Sequence, residues 1–513
     1  MKSWILQVLL SFCLLSVAGQ GRRNAGDAGG TMLAGKASAF DAYVRQAMAL
    51  WRTPGMSIVV VKDGQVVFRK GFGVTESGRT APFTTATEGI CASTTKAMTA
   101  VCMGMLVDEG KLQWTDKVRD LLPEFALYDP YTSSELTVRD LFTHNAGLGN
   151  TNNLWILGFS REEIMHRLRL VPPAYSLRSS FIYQNCMYVV AGELIRKISG
   201  QTWDDFITHR LFAPLGMTHT YPSFKASAKE SSHESTHFMM EDSTIRVIPF
   251  LDYDNIGAAG GVWSCANDMD KWMRFLLDSA RVDGHRLLKA ETWSELFRPQ
   301  TTVPEREFYP TVQLTHSSWA TYGLGWFQED YRGRMLQFHT GSLDGAVAII
   351  GLLPSEKLGI YIFGNLDHSE IRHALLLKAL DLWGFSDPDN SRDWSAECFS
   401  MYKKLKEEGR HKEQQKDSGR VKDTKPTLPL AAYAGRYNNE VYGGANVVLT
   451  GDSLCIELPN EVRLTLHHWN YDTFVGYYSY FWWDREWVQF SLDGDGKVIQ
   501  FTKEGVVYTP VKN

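Results

Sequence analysis

Several features that would assign this chain to a simple class are missing. After the first twenty residues it has no run of about 18 apolar residues, the length that marks a membrane-spanning helix. Neither sign of charge dominates, because 53 basic residues face 58 acidic ones, and a net charge of -5 gives no field that would concentrate nucleic acid. Cysteine is scarce, at seven in 513 residues, so a hydrophobic core must hold the fold. No Asn-x-Ser/Thr acceptor for N-glycosylation is present.

The first residues have the order of a secretory signal. Lys2 precedes the apolar stretch 4–17, and the small residues Ala18 and Gly19 follow it. We therefore predict a signal peptide over residues 1–18, cleaved near Ala18, and a secreted, extracellular protein without a membrane anchor. The alternative is an uncleaved signal anchor.

The patterning of the chain predicts an α+β protein. A hydrophobic content of 44% is enough for more than one core. Residues 56–70 form two β-branched runs around an Asp63-Gly64 turn, which predicts a hairpin. Helical periodicity dominates residues 93–215, and strand patterns return over residues 322–363. Strands on both sides of a helical segment indicate one sheet closed by distant parts of the chain.

Two further segments follow the predicted α+β unit. Residues 402–427 hold nine basic and five acidic residues and almost no apolar ones, which predicts a charged linker or a solvated helix. Residues 430–513 alternate in short runs between Gly/Asp turns, which predicts a small antiparallel barrel or sandwich. We expect its aromatic cluster to fill the barrel interior and not to line a ligand pocket; this cluster includes Tyr471, Phe481, Trp482, Trp483 and Trp487.

The first candidate for chemistry is Ser93-Thr-Thr-Lys96. A serine three residues before a lysine on one helix places both side chains on the same face. A desolvated lysine can lose its proton near neutral pH and then accept the serine proton. A second copy, Ser400-Met-Tyr-Lys403, lies at the edge of the charged segment, where nothing would desolvate the lysine, and we interpret it as chance. The structural alternative for Ser93 is a helix N-cap.

Two more motifs carry suitable side chains. Tyr183-Gln-Asn185 puts a phenol that can relay protons near an amide that can hold a substrate. His339-Thr-Gly341 starts a predicted strand, where glycine lets a substrate backbone approach, Thr340 can bind a carbonyl or carboxylate, and the imidazole can supply a proton or charge near neutral pH. A surface histidine in a turn is the structural alternative.

In this order, the three motifs resemble those of serine β-lactamase-related hydrolases of the class C and penicillin-binding-protein type. The resemblance implies a β-lactamase/transpeptidase-like domain over residues 37–385, with an antiparallel sheet flanked by helices and a helical subdomain. The tail over residues 430–513 resembles the lipocalin-like β-domain that follows many such hydrolases. Supporting stretches are residues 136–148, 214–217, 260–264 and 322–326.

The resemblance also implies roles for the motif residues. Ser93 would attack a carbonyl and form an acyl-enzyme, with Lys96 and Tyr183 managing protons. The backbone N–H groups of Ser93 and Ser342 would hold the oxyanion. Which of Lys96 and Tyr183 is the acylation base stays open. No metal or organic cofactor is implied. The substrate-binding residues implied by the resemblance are Asn185, His339, Thr340, Gly341 and Ser342.

The sequence departs from the family pattern at His339. Many β-lactamases and penicillin-binding proteins carry Lys-Thr-Gly there, so a permanently charged partner for a substrate carboxylate is lost. This change resembles peptidase and esterase relatives. Cys91, Cys186 and Cys265 lie in or beside the motif segments. We expect small apolar packing for them, with an oxidisable or bridged site as the alternative.

Three functions follow from these observations. The first is a secreted serine hydrolase that cleaves an amide or ester in a small-molecule or peptide substrate. The second is a catalytically silent secreted protein that uses the hydrolase scaffold for binding or for association with an extracellular matrix, as some shell-matrix proteins that resemble this family do. The third is a sugar or lipid carrier that acts through the aromatic tail.

Overall fold

The computed structural model describes residues 25–229, 232–386 and 391–511. The predicted signal peptide over residues 1–18 lies outside these ranges. Among the described helices, none combines the length and the apolar character needed to cross a bilayer.

Helices make up much of the first 420 residues. Most are short, and the longest lie near the two ends of this region. In the described residues the α-helices are α1 (Ala25–Trp51), α2 (Thr95–Asp108), α3 (Val118–Leu121), α4 (Pro130–Glu135), α5 (Asn153–Ile156), α6 (Arg161–Arg167), α7 (Cys186–Ser199), α8 (Trp203–Ile207), α9 (Ala213–Leu215), α10 (Phe224–Ser227), α11 (Gly257–Gly260), α12 (Ala266–Leu277), α13 (Ala290–Leu296), α14 (Val312–Thr315), α15 (Ile371–Gly384) and α16 (Trp394–Ser418).

The strands before α15 form one large antiparallel sheet and three small pairs. The sheet has the order β2-β1-β14-β13-β12-β11-β10-β9, and β1 pairs with β14 so that Met56 lies opposite Gly364. The predicted closure of one sheet by distant parts of the chain is therefore confirmed. These strands are β1 (Gly55–Lys62), β2 (Gln65–Gly73), β3 (Gly89–Ile90), β4 (Thr236–Met239), β5 (Ile245–Ile248), β6 (Trp263–Ser264), β7 (Arg281–Val282), β8 (His285–Arg286), β9 (Thr301–Thr302), β10 (Ala320–Tyr322), β11 (Phe327–Tyr331), β12 (Arg334–Leu343), β13 (Ala346–Leu353) and β14 (Leu358–Gly364).

Helices cover both faces of this sheet. Strands β13 and β14 are buried along their whole length, which explains why they are apolar without alternation. On one face Ile58 and Ile349 pack with α1 and α15. On the other face Val59 and Ile350 share a core with α2, α7 and α12. The predicted α+β fold, with a sheet flanked by helices and a helical region, is confirmed.

The C-terminal part is a closed barrel of eight consecutive antiparallel strands. Residues 403–418, within the predicted linker, form the largely exposed end of α16. Arg485 of the barrel forms ion pairs there with Glu413 and Asp417. Leu157 and Phe159 of the helical region pack into the barrel core. The barrel strands are β15 (Gly435–Asn439), β16 (Gly443–Thr450), β17 (Ser453–Glu457), β18 (Arg463–Asn470), β19 (Thr473–Tyr478), β20 (Glu486–Leu492), β21 (Val498–Lys503) and β22 (Val506–Pro510).

The aromatic cluster of the tail does not lie where we expected. Other rings fill the barrel, among them Phe474, Phe490 and Phe501. Tyr471 and Phe481 are exposed, because they lie in turns between strands, where side chains do not face the interior. Trp483 contacts the barrel core only from its edge. The prediction of interior filling is therefore wrong for most of the cluster.

The cysteines serve as packing residues. All six thiols outside residues 1–24 are free, and the three near the motifs, Cys91, Cys186 and Cys265, are buried. Burial raises the pKa of the Cys91 and Cys265 thiols to about 12 and that of Cys186 to about 11, so they stay protonated. The expectation of apolar packing is confirmed.

Candidate active site

Ser93 lies in a strained turn at the start of α2. A 3-10 turn (Ala92–Thr94) runs directly into this helix, and Ala92 has a φ of 45°, which is uncommon for a residue other than glycine. Strand β12 approaches closely, since a Cβ on Gly341 would lie 2.3 Å from the carbonyl oxygen of Cys91. The partly exposed Ser93 is thus held between the helical region and the sheet.

Lys96 is fully buried, and its amine contacts three oxygens. Its Nζ lies 3.1 Å from Ser93 Oγ, 2.7 Å from Asn185 Oδ1 and 2.9 Å from the carbonyl oxygen of Ala259. Burial lowers the pKa of Lys96 well below its usual 10.5. The amide and carbonyl oxygens can only accept, so the two hydrogens of a neutral amine go to Asn185 and Ala259. The nitrogen lone pair then faces the Ser93 hydroxyl.

Tyr183 lies beside this amine. Its ring centroid is 4.8 Å from Lys96 Nζ and 4.3 Å from the ring of His144. Its hydroxyl is buried and has no well-aligned hydrogen-bond partner among the described residues. Burial raises the pKa of Tyr183 well above 10.0, and the neighbouring Ser93 hydroxyl offsets only part of this increase. The phenol keeps its proton and has an unused hydrogen-bonding group next to the serine.

Asn185 connects the lysine to a residue that sequence patterns did not reveal. It lies immediately before α7, and its Nδ2 donates to Asn152 Oδ1 at 3.2 Å. Trp155 Nε1 donates to the same oxygen at 3.1 Å. These bonds hold the Asn185 amide with its oxygen toward Lys96. Asn152 lies just before α5, and no motif marks it.

The two faces of β12 divide the residues of the third motif. His339 and Gly341 face Ser93 and its neighbours, as the close approach of Gly341 to Cys91 shows. Thr340 and Ser342 face the opposite layer, where the Thr340 hydroxyl bonds the Tyr309 hydroxyl and Ser342 Oγ accepts from Arg372 at 2.8 Å. Side chains alternate along a strand, so the Thr340 hydroxyl lies on the other face of β12 from His339, and its expected role in substrate binding stays a prediction.

The backbone of β12 is open beside Ser93. Strand β11 pairs with β12 only as far as Phe338, so in the described part of the chain no strand pairs with residues 339–343 on that side. Leu343 pairs with Ala346 across a two-residue turn, so the backbone N–H and C=O of Leu343 point toward β13. By the alternation of an antiparallel ladder, the N–H of Ser342 points to the open edge. A helix start likewise leaves the N–H of Ser93 without an intrahelical partner.

His339 is buried and neutral. Its Nδ1 lies 2.6 Å from the Thr340 carbonyl oxygen, which can only accept, so Nδ1 carries the hydrogen and Nε2 accepts from the Tyr322 hydroxyl at 2.9 Å. Burial lowers the pKa of His339 to about 3, with the nearby Lys96 adding to the decrease. The expectation that this imidazole supplies a charge near neutral pH is therefore wrong.

His144 and Tyr322 complete a buried layer behind the site. His144 Nδ1 accepts from the backbone N–H of Gln184 at 2.9 Å, next to Tyr183. The rings of His144 and Tyr322 lie 4.7 Å apart. Both residues fall in the supporting stretches 136–148 and 322–326. The sequence therefore marked these segments, but it did not indicate what the two residues do. They fix the Tyr183 ring and the His339 ring in place.

No group of three or more His, Cys, Asp or Glu side chains in the described residues forms a metal site.

The fold and the site together define the class of the protein. An antiparallel sheet meets a helical region at a Ser-x-x-Lys pair whose lysine is buried, as in β-lactamases and penicillin-binding proteins. The model of the Beta-lactamase family matches residues 40–381, and the chain belongs to this family. A second family model, a domain of unknown function (DUF3471), matches residues 419–508, which include the barrel.

Relatives and solved structures agree with this assignment. The chain is similar to Unguisins hydrolase ungD of Aspergillus violaceofuscus, with 27% identity over 80% of this chain and 76% of that protein. It is 25% identical to Protein flp of Staphylococcus aureus over 64% of this chain and 62% of that protein. The octameric penicillin-binding protein homologue from Pyrococcus abyssi has the same fold, with a TM-score of 0.60 and 21% identity over 92% of this chain and 99% of that one. SurE matches with a TM-score of 0.57 and 18% identity over 94% of this chain and 100% of that one.

Proposed function

We propose that this protein is a serine hydrolase that cleaves an amide or ester through an acyl-enzyme on Ser93. One observation carries the proposal: the buried Lys96 amine lies 3.1 Å from Ser93 Oγ and within hydrogen-bond distance of two oxygens that can only accept, those of Asn185 and Ala259. A neutral amine in that position takes the hydroxyl proton as the oxygen attacks. The hydrolase name of the Aspergillus relative supports this class of reaction.

In acylation, Ser93 Oγ bonds to the carbonyl carbon of the substrate while its proton passes to Lys96 Nζ. The carbonyl oxygen becomes an oxyanion, which the N–H groups of Ser93 and Ser342 stabilise by roughly 3 kcal/mol each. When the tetrahedral intermediate collapses, the bond to the leaving group breaks, and the proton on Lys96 reaches that group through the Tyr183 hydroxyl. A water molecule then attacks the acyl carbon, gives its proton to Lys96, and the acid product leaves as Ser93 regains its hydrogen.

Lys96 is the better candidate for the acylation base. A phenolate at Tyr183 would be buried, and the raised pKa of this group reflects that cost. The same burial favours the uncharged form of Lys96, which is the form that accepts a proton. Tyr183 suits a relay of protons, since its hydroxyl both donates and accepts.

The neutral His339 favours a substrate without a carboxylate at this position. A buried imidazole with a pKa of about 3 offers no cation near neutral pH. We therefore propose a peptidase, amidase or esterase that acts on a small-molecule or peptide substrate. We also propose that the protein is secreted after cleavage near Ala18, which N-terminal sequencing of protein from the culture medium tests.

A fluorophosphonate probe tests the catalytic proposal. The purified wild-type protein should be labelled, and the Ser93→Ala variant should not. Ser400→Ala is a matched control and should label like the wild type. Equal labelling of wild type and Ser93→Ala removes Ser93 from its role. An unlabelled wild type that also fails to turn over p-nitrophenyl esters favours the silent binding or matrix protein.

A further inference from the structure

One carboxylate joins the barrel to the strand that carries Ser342. Asp344 lies in the turn between β12 and β13, two residues or about 7 Å beyond Ser342 along the strand. Its Oδ2 accepts hydrogen bonds at 3.0 Å from Tyr253 Oη, from Trp482 Nε1 and from Trp483 Nε1. The two indoles come from the barrel and the phenol from the segment before α11. Three donors on one oxygen form a fixed junction of three parts of the chain.

The indoles belong to residues 480–483, Tyr-Phe-Trp-Trp, which we call the aromatic loop. This loop connects β19 and β20. Tyr480 packs 4.8 Å from Trp483, and Phe481 lies edge-on to Phe238 of the β4–β5 hairpin at 6.3 Å. Phe481 is 45% exposed, and the other three rings are half-buried. The loop therefore holds a set of rings whose faces are only partly covered.

A chain of contacts leads from this junction back to the catalytic lysine. Asn185, which binds Lys96, donates to Asn152, and Trp155 donates to the same Asn152 oxygen. The rings of Trp155 and Tyr253 meet edge-to-face at 4.9 Å. Since Tyr253 also binds Asp344, these residues form a continuous path of contacts between Asp344 and Lys96.

We propose that the aromatic loop is the wall of the substrate cleft that binds an uncharged, ring-bearing group of the substrate, and that Asp344 is the positioning residue that holds this wall beside Ser342. Aromatic faces next to a half-open cleft stabilise apolar rings by stacking. Asp344 Oδ2 already accepts three hydrogen bonds from the protein, so we do not assign it a charged group of the substrate. The inference rests on the proposed function, because it assigns the substrate class of the same Ser93 site.

Two sulfonyl fluorides of different size measure the wall directly. In each reaction a bond forms between Ser93 Oγ and sulfur, the sulfur–fluorine bond breaks, fluoride leaves, and the serine proton passes to Lys96. The measured quantity is the ratio of labelling rates for phenylmethanesulfonyl fluoride and methanesulfonyl fluoride. Trp482→Ala should lower this ratio about tenfold, equivalent to about 1.4 kcal/mol of lost ring contact. Trp487→Ala, which removes a barrel ring packed on Trp469, should leave the wild-type ratio.

Variants of Asp344 separate positioning from general stability. Asp344→Leu removes the acceptor and should lower the ratio as Trp482→Ala does. Asp344→Asn retains an acceptor oxygen and should restore most of the wild-type ratio of labelling rates. A purely structural role of Asp344 would not predict this recovery. Melting curves show whether Asp344→Leu folds, and if it does not, Trp482→Ala decides alone.

A ratio within twofold of wild type in folded Trp482→Ala overturns the inference. This outcome leaves the proposed function intact as long as Ser93 is labelled. Failure of both reagents to modify Ser93 in the wild type overturns the proposed function, and the inference with it.

Discussion

A serine lies three residues before a lysine at two places in this protein, at the start of α2 and within α16, and their surroundings differ completely. In α2, Lys96 has no exposed surface, and its amine lies within hydrogen-bond distance of the Ser93 hydroxyl. In α16, both Ser400 and Lys403 are exposed to water. The spacing is the same, but the Lys96 amine is buried and the Lys403 amine is exposed. The comparison teaches that desolvation, which makes the charged form of the amine costly, is what distinguishes the candidate catalytic pair from a chance copy of the same spacing.

The largest expected effect comes from removing the buried amine. Lys96→Met keeps the length of the side chain and eliminates the base, so kcat/KM for p-nitrophenyl acetate should fall about a thousandfold. Lys403→Met should leave kcat/KM at the wild-type value. Steady-state kinetics with both variants provide the measurement. Retained activity in Lys96→Met, or a comparable loss in Lys403→Met, would break the comparison between the two helices.

The pH profile sharpens the same comparison. Only the neutral Lys96 amine accepts the serine proton, so kcat/KM should rise with pH through the pKa of Lys96 and then stay level. Because burial lowers this pKa well below 10.5, the level region should begin well below pH 10.5. Rates measured between about pH 5 and pH 10 show where the rise ends. A rise that continues to the upper limit would mean that Lys96 is not desolvated.

The position of Ser93 also depends on the close approach of Gly341 in β12 to the turn before it. Gly341→Ala would place a Cβ 2.3 Å from the Cys91 carbonyl oxygen, so the turn before Ser93 must move. We expect a loss of about 1–3 kcal/mol in the free energy of unfolding and a lower kcat. Gly494→Ala in the barrel is the control, since nothing lies within 4 Å of that site. Denaturant unfolding with equal losses in both variants would contradict the role of this contact.

A buried carboxyl beneath the Ser93 turn makes the stability of this region depend on pH. Glu234 Oε1 accepts from the backbone N–H of Ile90 at 3.0 Å, and burial raises the pKa of Glu234 to about 8. The raised pKa means that the stabilisation is fully present below about pH 4.5 and is lost as the pH rises through 8. Glu234→Gln should remove this part of the pH dependence. Unfolding free energies at pH 5, 7 and 9 test it, and parallel curves for variant and wild type would contradict it.

The smallest expected effect lies on the exposed helix. Gly409 is in the exposed interior of α16, and nothing lies within 4 Å of its missing Cβ. Gly409→Ala should therefore raise helix stability by about 0.5–1 kcal/mol and leave kcat/KM unchanged. Thermal unfolding together with kinetics checks both parts. A change in kcat/KM would show that α16 influences the site.

The motif residues differ in how far their roles could be predicted. The pairing of Ser93 with Lys96 follows from helical spacing, since i and i+3 share a face. The orientation of Thr340 could not be predicted, because a strand sends alternate side chains to opposite layers and the pattern does not say which layer holds the site. The lowered pKa of His339 comes first from its burial and then from the nearby Lys96, which is distant in sequence. Asn152 lies in no motif at all.

The barrel shows the same limit at a larger scale. Alternating short runs predicted its strands, because period-2 patterning reflects one buried and one exposed face. The aromatic loop was expected inside the barrel, yet Trp482 and Trp483 bind Asp344 in another part of the molecule. The aromatic residues of this loop indicate that their rings pack against apolar groups, but the sequence does not show which part of the molecule those groups belong to.

The sequence by itself determined the α+β class, the family, the order of the motifs and the candidate nucleophile, since each of these depends on local spacing and periodicity. Only the tertiary structure decided the charge states of Lys96 and His339, the open edge beside Ser342 and the junction at Asp344. These properties depend on which distant groups exclude water or donate hydrogen bonds at one point, and chain folding alone brings those groups together.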